Sequence, residues 1–121
     1  MDFALTPIIT RWLFALLVTL AVELPVFALL GRGYAPTTRC IGGGALGTLI
    51  THPLLWFAWR HTFDSYLLRT ITGELLVCLI EGIVLWRVAR PLKFKSALGI
   101  SLVANGASYG LGILLHTLGF L

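Results

Sequence analysis

Three of the five acidic residues, Glu23, Glu74 and Glu81, stand inside runs that otherwise read as apolar helix. His52 stands in another such run, within "THPLLW". A charged side chain at the centre of a bilayer costs at least about 2.5–3.5 kcal/mol on insertion scales, so such groups mark proton relays, ion sites or buried pairings. Asn105 and the hydroxyls Thr48, Thr51 and Ser108 recur on the same kind of segment, and they suit hydrogen bonding to a carboxyl or to an ion.

Those residues need membrane-crossing helices to position them, and the composition supplies the helices. The chain has 121 residues, 58% of them hydrophobic and 12% charged, with a mean hydropathy of +0.94. Soluble domains carry about 25% charged residues. A span takes about 20 apolar residues, and four fit: residues 8–30, 40–59, 66–89 and 96–120. The separating segments "GRGYAPTTR", "RHTFDS" and "RPLKFK" are too short to hold a soluble domain. The expectation is a single all-α domain over residues 1–121, a polytopic four-helix bundle in which each helix runs antiparallel to the next. The first segment opens on Asp2 rather than on basic residues and carries Glu23, so it reads as a retained helix and not a cleaved signal.

Depth follows from a rise of about 1.5 Å per residue. Counted from the end carrying the first and third loops, Glu23, Glu81 and Asn105 lie about 12, 13 and 14 Å into their spans. His52 and Ser108 lie about 18 Å in, and Glu74 about 24 Å. Glu23, Glu81 and Asn105 are therefore level on three helices, and a polar interior lined by them with Thr48 and His52 is expected. Two carboxyls that close do not readily ionise together, so at least one of them is expected to hold its proton near neutral pH.

Each of Pro25 and Pro53 follows an ionisable group closely, and each removes the amide that would bond the carbonyl four residues back, Ala21 or Leu49. "THP" thus reads as a local opening of the helix beside a polar site.

A weak repeat runs through the chain. Glu23 and Glu81 lie 58 apart, as do Arg32 and Arg90. Gly44, Thr48, Thr51 and Leu55 match Ser101, Asn105, Ser108 and Gly112 at a shift of 57. Two parallel copies of one helical hairpin would produce this, with a twofold axis along the membrane normal. The same stripes of small and polar residues also serve plain helix packing.

Basic residues set the orientation. Arg32, Arg39, Arg87, Arg90, Lys93 and Lys95 flank the first and third loops, against Arg11, Arg60 and Arg69 at the other end. This puts the first and third loops inside and both termini outside, in the inner membrane of a bacterial-type cell. The net charge of +4 is what basic cytoplasmic loops produce and calls for no nucleic-acid partner. Trp12, Trp56, Trp59 and Trp86 fall near span ends, where indoles anchor to the interface. Cys40 and Cys78 fall at different depths, which argues against a disulfide.

Three functional classes follow. The first is a proton- or cation-handling transporter or channel, with Glu23, Glu81, His52 and Asn105 at the site and Thr48, Thr51, Ser108 and Glu74 supporting it; at this size a homo-oligomer would be the working form. The second is an accessory or assembly subunit whose acids pair with a partner membrane subunit. The third is an intramembrane metal-binding protein or a Glu–His hydrolase, although no HxxxH, CxxC, ExxH, GxSxG or HExxH pattern is present. The cofactor, if any, is not specified by these residues. No family signature stands in the chain from which residue roles could be carried over.

Overall fold

The computed structural model describes residues 6–59 and 62–120. Asp2 and Arg60, used above for the start of the chain and the charge count, lie outside the described residues. Four helices make up the fold: α1 (Thr6–Gly31), α2 (Thr37–Pro53), α3 (Tyr66–Val88) and α4 (Phe94–Thr117). Helices α1, α3 and α4 begin and end within three residues of segments 8–30, 66–89 and 96–120, whereas α2 ends at Pro53, six residues short of 59. Each helix packs on the two that neighbour it in a closed ring, α1 on α2 and α4, and α3 on the same pair. The helices α1 and α3 therefore face each other across the diagonal.

Expectation and structure part at α3. Three helices, Pro7–Gly31, Thr37–Ala58 and Phe94–Thr117, are long and apolar enough to cross a membrane. Helix α3 is long enough, at 23 residues, but it is too charged to count as a span by composition. Any stretch of 18 residues within it contains Glu74 and Glu81 together with Arg69 or Arg87.

The bundle is polar inside and apolar outside. Its buried set includes Glu23, Thr48, Thr51, His52, Glu81, Ser101 and Asn105, while Leu17, Leu67, Leu75 and Leu102 are more than half exposed. Large contiguous apolar surface of this kind marks contact with lipid or protein, not with water.

The end of the bundle that carries the first and third loops is tightly packed. Phe27, Cys40, Leu85, Ala89, Ala97 and Ala104 form a core there. Glycines on α2 make the close approach possible: a Cβ on Gly44 would run into the Phe27 ring, and one on Gly47 would lie 3.1–3.3 Å from the Cγ, Cα and Cβ of Glu81. Arg39 ties the first and third loops together through an Nη1 bond to the Arg90 carbonyl at 3.2 Å. Cys40 and Cys78 are both free and buried. Between α3 and α4, the Ser101 hydroxyl donates to the Cys78 carbonyl at 2.8 Å. A Ser101→Ala variant is expected to lose about 0.6–1 kcal/mol, the range for interhelical bonds in membranes, read as a small drop in unfolding midpoint in detergent.

The two prolines behave differently. Helix α1 continues through Pro25, whose ring lies on the exposed face. At Pro53 the α-helix ends and widens into a π-helical turn, Leu54–Ala58. The missing amide of Pro53 removes the bond to Leu49 that would keep the register, and the turn takes up a wider spacing. Within it Leu55 and Trp56 line the interior cavity, while Leu54, Phe57 and Ala58 are exposed. Widened turns of this type recur at functional sites.

Candidate functional site

Two buried carboxyls define the site. Glu23 on α1 is 0% exposed and Glu81 on α3 is 1% exposed. Both are oriented by side chains of the two flanking helices. Glu23 accepts from Thr48 Oγ1 at 2.8 Å on one oxygen and from Ser108 Oγ at 2.7 Å on the other. Glu81 accepts from Thr51 Oγ1 at 2.8 Å and from Asn105 Nδ2 at 2.6 Å. Thr48 and Thr51 are one turn apart on α2, so their Cβ atoms lie about 5–6 Å apart and hold the two carboxyls side by side.

The bonds follow the 57- and 58-residue spacings of the sequence. With α1–α2 and α3–α4 taken as two hairpins, each glutamate bonds the first polar position of its own hairpin, Thr48 or Asn105. Each also bonds the second polar position of the other hairpin, Ser108 or Thr51. Burial repeats too. Cys40, Gly43, Gly44, Gly47 and Thr48 on α2 are buried, and so, 57 residues on, are Ala97, Ile100, Ser101, Ala104 and Asn105 on α4. At a shift of 58, the buried Phe27 matches the buried Leu85.

Counting protons shows what this geometry can do. The Thr51 hydroxyl lies 3.0 Å from the Gly47 carbonyl and 2.8 Å from Glu81 Oε1. It has a single proton for the two acceptors. Ser108 is placed in the same way, 3.2 Å from the Asn105 carbonyl and 2.7 Å from Glu23 Oε2. When the carboxylate is ionised, the hydroxyl donates to it. When the carboxyl is protonated at that oxygen, it donates to the hydroxyl, which turns its own proton to the helix carbonyl. Both states are satisfied without moving a heavy atom. The remaining oxygens, Glu23 Oε1 and Glu81 Oε2, accept in either state. The two hydroxyls with a helix carbonyl to turn to, Thr51 and Ser108, each belong to the hairpin opposite their carboxyl.

Replacing Thr51 with Val keeps the shape and removes this partner. The variant is expected to be less stable by about 1–3 kcal/mol, the cost of an unpaired buried polar group. Thr51→Ser, which keeps the hydroxyl, is expected to lose less than half as much in the same detergent unfolding assay.

The carboxyls form the floor of a cavity of about 550 Å³. Its walls include Ala15, Val18, Val77 and Ile113, and it reaches Trp56, Tyr66 and His116 at the end of the bundle away from the first and third loops. Tyr66 is 68% exposed, so the cavity communicates with the surface there. The other end is closed by the core around Phe27 and Leu85.

His52 lines the cavity a turn above Thr48. Its Nε2 lies 3.4 Å from Thr19 Oγ1, while its buried Nδ1 has no partner among the described residues. Its ring stacks on Trp56 with centroids 6.2 Å apart. Glu74 also lines the cavity and is partly buried, but it stands apart from the hydrogen-bonded set. Among the described residues no three His, Cys, Asp or Glu side chains come together as a metal centre would require.

Of the residues read from the sequence, Glu23, Glu81, Asn105, Thr48, Thr51 and Ser108 form one connected arrangement, with His52 beside it and Glu74 further up the cavity. Thr51 and Ser108, expected only to support the site, bond the carboxyls directly. Thr19 was not singled out, and Ser101 was read only as a member of the small and polar stripe. Thr19 sits four residues before Glu23 on one helix face, a spacing visible in the sequence, whereas the Ser101 contact with a backbone carbonyl leaves no such signal.

Fold and site together define a helical, membrane-associated protein with a polar interior and a one-sided cavity. Compared with protein families, with curated proteins and with solved structures, the chain matches none.

Proposed function

We propose that the protein is a small transporter or channel that handles protons or cations, with Glu23 and Glu81 as the exchanging groups. The observation that carries this reading is a pair of fully buried carboxyls at the closed end of a cavity, each bonded so that gaining or losing a proton leaves no partner unsatisfied. In this reading all four helices cross the membrane. The charges that set α3 apart are compatible with that, because Glu81 faces the interior and Glu74 faces the cavity, away from lipid.

The membrane proposed is the inner membrane of a bacterial-type cell, with the first and third loops inside and the cavity opening outward. The two hairpins are proposed to be copies of one unit, which the exchange of hydrogen-bond partners between them supports. A homo-oligomer is the proposed working form, given a mass of only 13.2 kDa. In the accessory-subunit reading the acids await a partner's polar groups. The internal bonds of Glu23 and Glu81 count against it.

The test is ion flux in liposomes containing the purified chain, driven by a pH or cation gradient and followed with an entrapped dye. Gradient-dependent flux above that of empty liposomes is expected. Absence of flux for protons and for monovalent cations alike would overturn the proposal.

A further inference from the structure

The upper part of the cavity has a chemistry that the carboxyl pair does not use. A second cavity of about 470 Å³ adjoins the first, and the two share Leu55, Trp56, Tyr66, Glu74 and Tyr109 in their walls. Trp59 completes the second. Four aromatic rings therefore surround one space, contributed by the π-helical turn and its exit, the start of α3 and the second half of α4. They are held in place from outside. The Trp59 indole donates to the Arg69 carbonyl at 3.1 Å, and Trp56 stacks on His52. Glu74 reaches into this space from α3, and none of its described interactions is a hydrogen bond.

We propose that this vestibule binds an alkylated ammonium group, its charge set against Glu74 and its alkyl substituents against Trp56, Trp59, Tyr66 and Tyr109. The proposal deepens the cation-handling reading above and rests on it, since the ammonium is then the cation that the Glu23 and Glu81 pair serves. Aromatic faces attract cations through the ring quadrupole, most strongly where water is excluded, and cages of several rings are the recurring solution for quaternary ammonium. The volumes suit a small organic ligand, since such sites run to about 300–1,000 Å³.

The charge balance favours a cation. Glu23, Glu74 and Glu81 face the joined cavities, against Arg69 on the wall and the imidazoles of His52 and His116. The Arg69 guanidinium lies over the Tyr66 ring, 5.8 Å from its centroid, and donates to the Phe63 carbonyl at 3.4 Å. A hard inorganic cation would instead need several oxygen ligands, and this space offers aromatic carbon around one carboxyl.

The experiment is calorimetric titration of the full chain, in a non-ionic detergent free of lipid, with benzyltrimethylammonium. Neopentylbenzene, of the same shape without the charge, is the control. Saturable binding of the ammonium and none of the control is expected. Glu74→Gln is expected to weaken binding at least about tenfold, and Tyr109→Leu about two- to fivefold. Glu23→Gln, which does not line the second cavity as Glu74 and the four rings do, is expected to change it less than Glu74→Gln does.

Repeating the titration in nanodiscs of phosphatidylglycerol with and without phosphatidylcholine identifies the source of the group. Competition by phosphatidylcholine assigns the site to a lipid headgroup, and unchanged binding assigns it to a free cation. Equal binding of the neutral control, an unchanged affinity in Glu74→Gln, or no saturable binding at millimolar ligand overturns the proposal. The flux test is separate. Flux without ammonium binding defeats only this inference, and Glu74-dependent binding without flux defeats the transport reading while leaving a binding site.

Discussion

Proton or cation flux through reconstituted protein is expected to fall at least about tenfold in Glu23→Gln, and by a similar factor in Glu81→Gln, as for other intramembrane relay acids. The glutamine variants isolate the proton from the packing. In Glu23→Gln the amide oxygen accepts from Thr48 as before, and the amide nitrogen donates to Ser108, which turns its proton to the Asn105 carbonyl. In Glu81→Gln the oxygen accepts from Asn105 and the nitrogen donates to Thr51, which turns to the Gly47 carbonyl. Each variant thus mimics the protonated acid permanently and keeps the bonds of the acid, its second amide N–H facing the cavity that the acid lines. Unfolding midpoints within about 2–4 °C of the parent are expected, corresponding to less than about 1 kcal/mol. The similarity of the two losses is the sharper part of the prediction, because the two sites have the same bonding pattern with the hairpins exchanged. Full flux in both variants would remove the carboxyl pair from the mechanism. Loss in one and not the other would leave a single working site and defeat the equivalence.

Much of this arrangement was legible in the sequence, for physical reasons. Four apolar runs joined by short polar segments leave few alternatives to an antiparallel bundle, and acids in such runs must face inward or pay a large desolvation cost. Counting 1.5 Å per residue was enough to place Glu23, Glu81 and Asn105 on one level. That count fixes height along a helix but not rotation about its axis, so it could not show which donor meets which oxygen. Thr51 and Ser108 were under-read for that reason. Pro25 and Pro53 show the same limit. Both lack an amide, yet Pro25 lies on the outer face of a continuous helix, while Pro53 lies where α2 can widen toward Trp56. The cavity was not legible at all, because it arises from how the helices part beyond their glycine-rich contact, a property of pairs of helices and not of any one of them. Helix α3 was read as a span, but with three charges in any 18 of its residues it does not count as one by composition, although its two acids lie away from the outer face.

That contact supplies the second large effect. Gly44→Ala is expected to destabilise the bundle by about 1–3 kcal/mol, the usual cost of forcing a methyl into a packed core. The new Cβ would collide with the ring of Phe27, and not merely with the tip of a flexible chain. Phe27 is itself 0% exposed and belongs to the closed end of the bundle, so it has nowhere to move without parting α1 from α2. Gly42 is the internal control: nothing lies within 4 Å of a Cβ placed there, on the same helix two residues away. Gly42→Ala is expected to be neutral or slightly stabilising, through the better helix propensity of alanine. Phe27→Leu in the Gly44→Ala background is expected to recover part of the loss, giving a coupling of at least about 0.5 kcal/mol in a double-mutant cycle. The measurement is denaturant unfolding, in one detergent, of the parent, Gly42→Ala, Gly44→Ala, Phe27→Leu and the Gly44→Ala/Phe27→Leu double variant. If Gly44→Ala unfolds no earlier than Gly42→Ala, the close approach of α1 and α2 at Phe27 is wrong, and with it the seal that closes the cavity at this end.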